Sequence, residues 1–85
     1  MEFLLERYEP GLDARTAEQE GRALRRAARE LRSEGLDVRV VRRTYVPSDE
    51  ALLWLVRAPS AAVALSAGAR AGLRIDRVVE TGAAA

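Results

Sequence analysis

Hydrophobic and polar positions alternate loosely from Glu2 to Tyr8, with Phe3 and Leu5 opposite Leu4 and Tyr8, and Pro10-Gly11 stops the run. This pattern predicts a first strand ending in a turn. The period then changes: Ala17, Gly21, Leu24, Ala28 and Leu31 recur at intervals of four and three, which keeps one stripe of a helix against a core. Asp13 or Thr16 can cap its first turn, Thr16 with Gln19 has capping-box spacing, and Gly35 closes it as the residue able to take a positive φ. Asp37 to Val46, dense in Val, Thr and Tyr, predicts a second strand stopped at Pro47-Ser48-Asp49. Ala51 to Arg57 is continuously apolar up to its last residue and predicts a third strand covered on both faces. Ser60 caps a second helix from Ala61 to about Ala71, with Val63, Ala64, Ala67 and Ala71 on its apolar side and Gly72 at its end. Leu73 to Thr81 alternates again as a fourth strand, and residues 82–85, with nothing to bury, are expected to fray.

The resulting order is βαββαβ. Two right-handed split crossovers on a four-stranded antiparallel sheet define a ferredoxin-like α+β sandwich with both helices on one face, a single domain over residues 1–81. The third strand then poses a problem of coverage. Leu53 and Leu55 point to one face and Leu52, Trp54 and Val56 to the other, so the side without helices is expected to carry an apolar patch. A homodimer packed sheet on sheet would bury it and enclose a space between subunits.

Composition narrows the chemistry. A chain of 85 residues buries only about 60 to 65% of its unfolded surface, so a partner subunit would help its stability. Cysteine and histidine are both absent, which excludes disulfides, zinc fingers and thiol or imidazole catalysis. All 14 basic residues are arginine and the net charge is +1, which argues against a nucleic-acid arm. No apolar run approaches the roughly 20 residues that span a bilayer, and no signal-like N-terminus is present, so a cytoplasmic location is expected.

The segments Phe3-Leu4-Leu5-Glu6-Arg7, Pro10-Gly11-Leu12, Arg57-Ala58-Pro59-Ser60 and Ala71 to Glu80 resemble a family of small, mostly uncharacterised bacterial proteins of ferredoxin-like, dimeric α/β-barrel type. One branch of that family is nickel-binding. The resemblance implies a His in the second strand and a Cys in the third, but those places correspond here to Arg42 and Trp54. A guanidinium cannot be deprotonated to become a ligand and an indole offers only a donor, so nickel binding is not expected.

The candidate ligand-binding residues are Arg7, Arg42 and Trp54, with Glu6 or Tyr45 as further polar contacts. If Arg42 and Trp54 share the non-helical face, they present an anion-binding fork beside an aromatic plate. Against that stands the reading in which Arg42 pairs with Glu6, Glu50 or Glu80 across a dimer while Trp54 serves as interface core, since charged groups near a buried face are normally paired. The first helix carries Arg22, Arg25, Arg26, Arg29 and Arg32, but Glu18, Glu20, Glu30 and Glu34 are interspersed and are expected to neutralise the stripe. An RNA-recognition domain would need more aromatics on its middle strands. The sequence therefore predicts a non-catalytic homodimer, either binding a small anionic or aromatic molecule between its sheets or serving as an interaction module, without metal or cofactor. The alternative is a cofactor-free enzyme using a carboxylate or Tyr45 in that cavity.

Overall fold

The computed structural model describes residues 1–82. Along the chain run β1 (Glu2–Tyr8), α1 (Ala14–Ser33), β2 (Arg39–Val46), a 3-10 turn (Pro47–Asp49), β3 (Ala51–Arg57), α2 (Ala61–Arg70) and β4 (Arg77–Thr81). They build one four-stranded sheet in the order β2-β3-β1-β4, with every neighbouring pair antiparallel. This is the ferredoxin-like α+β arrangement. Of the fraying expected over residues 82–85, all beyond Gly82 lies outside the described residues.

Local chemistry sets the helix limits. The Asp13 carboxylate accepts from the Thr16 amide at 2.7 Å, so Asp13 rather than Thr16 is the N-cap of α1. The Ser60 hydroxyl does the same for Val63 at 3.2 Å at the start of α2. At the far end of α1, the Gly35 amide donates to the Arg32 carbonyl and the Leu36 amide to the Leu31 carbonyl, with Gly35 at φ 92°. That paired closure requires the left-handed conformation glycine takes at least cost.

Two boundaries differ from the pattern-based expectation. β2 begins at Arg39, because Asp37 and Val38 still belong to the turn that leaves α1. β4 begins at Arg77 rather than Leu73: the Leu73 amide is used to close α2 on the Gly68 carbonyl, which delays the ladder.

The core lies between the helices and one face of the sheet. Phe3 and Leu5 of β1, Leu52, Trp54 and Val56 of β3, and Val38 meet Leu24 and Leu31 of α1. Ala17, Ala28, Ala64 and Ala67 let both helices approach the sheet closely. Trp54 is fully buried and is the largest side chain in this core. β3 is therefore buried on the helical side, while Leu53 and Leu55 on its other side remain half-buried, so it is not covered on both faces by its own chain.

Candidate functional site

Cross-strand register determines which residues share the open face. Across the sheet, one row runs Arg42, Leu55, Leu4, Val79, and the next runs Thr44, Leu53, Glu6, Arg77. A third row holds Val46, Ala51 and Tyr8. Leu4, Leu53, Leu55 and Val79 thus form an apolar centre, each half-buried, between Arg42 at one edge of the sheet and Arg77 at the other.

Beside that centre sits a polar pair. The Tyr8 hydroxyl donates to Glu6 Oε1 at 2.6 Å. Glu6 is only 7% exposed although no helix covers it, whereas Tyr8 is 44% exposed. The bond to the Glu6 carboxylate, reinforced by desolvation, raises the Tyr8 phenol above its ordinary value. The Tyr8 backbone is also fixed: its amide donates to Asp76 Oδ2 at 2.7 Å and its carbonyl accepts from Arg74 Nη2 at 2.7 Å. Asp76 in turn is held below the usual carboxylate range, first by that amide and then by Arg74.

The sequence-based site is divided by the sheet. Arg42 and Glu6 do face the open side, but Trp54 does not: it points into the core with no exposed surface. The cause is a β-bulge. Val40 opposes Val56 and Arg42 opposes Leu55, so Val41 is an extra residue. In an unbulged ladder Arg42 would oppose Trp54; with the insertion Arg43 takes that place and Arg42 turns to the other face.

Arg7 also belongs to the helical side. Its Nε and Nη2 donate to the two oxygens of Glu20 on α1 at 2.8 and 3.0 Å, and Nη2 reaches Glu9 at 2.6 Å. That pairing raises the Arg7 guanidinium further above its already high ordinary value. Tyr45 lies on the same side, donating its hydroxyl to the Leu12 carbonyl at 2.8 Å. Arg7, Tyr45 and Trp54 therefore hold the fold and are removed from the ligand set. Tyr8 and Arg77 lie on the open face with Glu6 instead; for Tyr8 the signal was the alternation that places it two residues beyond Glu6. Among the described residues no group of three acidic or other metal-ligating side chains is close enough to hold an ion.

The topology and this face together define a two-layer ferredoxin-like sandwich with one side of its sheet uncovered among the described residues. The crystal structure of SCO4226 from Streptomyces coelicolor A3(2) is similar to it with a TM-score of 0.80, covering 100% of both chains at 19% identity. At that identity the likeness shows the fold. No family model and no curated protein matches the chain. No helix among the described residues is long and apolar enough to cross a membrane.

Proposed function

We propose that the protein acts in the cytoplasm as a non-catalytic homodimer, joined through the open faces of two sheets, that holds a small anionic molecule between them. The observation that carries this reading is the apolar row Leu55, Leu4 and Val79 with Leu53 beside it, bounded by guanidiniums at both sheet edges. Such a face can meet its own copy about a two-fold axis, apolar centre on apolar centre, with Arg42 and Arg77 at the two sheet edges. Arg42 and Arg77 form no ion pair among the described residues, which leaves both forks for a carboxylate or related anion, with the Tyr8 ring as the aromatic surface. The dimeric type of the resembled family supports the same assembly, while its nickel branch receives no support from this donor set.

Sedimentation tests the assembly. The wild-type chain is expected to sediment as a dimer and Leu55→Glu as a folded monomer; a wild-type monomer at micromolar concentration overturns the proposal. A panel of small carboxylates is expected to raise the melting temperature of the wild type and not of Arg42→Ala.

A second reading rests on one specific feature, the buried Glu6 carboxylate hydrogen-bonded to Tyr8, which has the composition of a general base with a proton donor beside it. Turnover of any ligand that is lost in Glu6→Gln while binding persists would favour this enzyme.

A further inference from the structure

A second feature lies on the opposite side of the sheet, at its β2 edge. Here α1 and β2 form a cleft of about 260 Å³ lined by Arg25, Arg29, Arg32 and Arg39, with Ala28 and Val40 as its apolar lining. We propose that this cleft binds a compact phosphate-bearing anion, such as a pyrophosphate group.

The argument begins with how α1 distributes its charge. Its acidic residues were expected to neutralise its arginines, but the fold draws them elsewhere. Glu20 is taken by Arg7 of β1, and Glu30 and Glu34 face Arg70 of α2. Among the described residues, only Glu18 pairs with an arginine of the helix itself, Arg22. The flank toward β2 is consequently left with arginines at positions 25, 29 and 32, spaced four and three so that they share one side.

The cleft is also partly organised in advance. Arg32 Nη1 donates to the Val38 carbonyl at 2.6 Å, which fixes its head at the turn into β2. Among the described residues, the one carboxylate contact of the lining is the exposed bond of Arg39 to Asp37 at 3.2 Å. Arg25 and Arg29 form no ion pair or side-chain hydrogen bond among the described residues.

Guanidiniums do not lose their proton in proteins, so the positive charge that these arginines bring to the lining persists across the accessible pH range, and an anion in the cleft would offset it. Each offers a planar fork of donors that matches phosphate oxygens two at a time. The lining holds no aromatic side chain on which a base could stack, which favours a compact oligophosphate over a nucleic-acid strand.

The test is titration with inorganic pyrophosphate, followed by amide chemical shifts and calorimetry, against sodium chloride of matched ionic strength. Saturable binding is expected, with shifts centred on Arg29, Arg32 and Arg39. Arg25→Gln with Arg29→Gln, both at exposed positions of α1, is expected to weaken it by about tenfold or more, with the circular dichroism unchanged. Arg39→Ala, which alters the strand side instead, is expected to weaken it as well and serves if the helix variant fails to fold. A response no larger than that to chloride, a response undiminished in these variants, or binding of a single-stranded oligonucleotide without any response to pyrophosphate would each overturn the proposal.

Discussion

Arg43 stands opposite Trp54 in the β2–β3 ladder, and its stem runs along α1 past Gly21. A Cβ built on Gly21 would lie 3.5 Å from Arg43 Cδ, an ordinary contact, so the helix has room for a methyl group there. Gly21→Ala is therefore expected to stabilise the fold by about 0.5 to 1 kcal/mol, because alanine loses less backbone entropy in a helix. A higher urea midpoint at unchanged slope is the outcome that checks it.

Gly68 in α2 predicts the opposite sign. A Cβ there would fall 2.8 Å from Ile75 Cγ1, closer than real side chains approach, and Ile75 packs against the core from the loop before β4. Gly68→Ala should destabilise by about 1 to 2 kcal/mol, overpacking outweighing the gain in helix propensity. In an Ile75→Ala background the same change should cost less, and a thermodynamic cycle of the four proteins measures the difference.

The bidentate pair of Arg7 and Glu20 ties β1 to α1, with side-chain exposures of 9% and 13%. Removing one partner strands the other, so Arg7→Met is expected to cost about 3 kcal/mol. Arg7→Met combined with Glu20→Leu should recover much of that loss, since an apolar pair leaves no buried charge behind. Denaturation of the two variants side by side distinguishes an unpaired charge from lost packing.

Acid sensitivity follows from three carboxylates. Asp13 is held below its ordinary value by the Thr16 amide, Glu34 by Arg70, and Asp76 by the Tyr8 amide. A carboxylate with a lowered folded-state pKa contributes stability above its unfolded value of about 4 and loses it as pH falls through the folded value. Stability should therefore decline from about pH 4 downward. In Asp76→Asn the decline should be shallower, and urea midpoints between pH 6 and pH 2.5 provide the comparison.

Trp54 carries a buried indole Nε1 that has no hydrogen-bond partner among the described residues. Trp54→Phe loses ring volume but also removes that unsatisfied donor, two effects of about 1 to 3 kcal/mol each and opposite sign. The net change is expected to stay within about 1 kcal/mol. Trp54→Glu, by contrast, places a charge in the core and should prevent folding, so Leu55 rather than Trp54 is the position that reports on assembly.

Most of the element order was legible in the chain. Switches between periods of two and of three to four marked strands and helices, Asp13 and Ser60 marked helix starts, and Gly35 and Gly72 marked their ends. These signals are local: a cap or a turn involves residues a few positions apart, and alternation belongs to one strand at a time. The uncovered apolar face was legible too, since Leu53 and Leu55 could not share a side with Leu52, Trp54 and Val56.

The composition of the candidate site was decided by contacts between distant segments. Whether Arg42 or Arg43 meets Trp54 depends on one extra residue, Val41, in a pairing between two strands, and no property of Val41 itself marks it as a bulge. Arg7 could be placed only once β1 met Glu20 on α1, and the arginines lining the α1–β2 cleft were left together only because Arg7 and Arg70 drew away the helix's glutamates. Periodicity assigns each residue a side of its own element. Which charges find partners is set by how the elements come together in space.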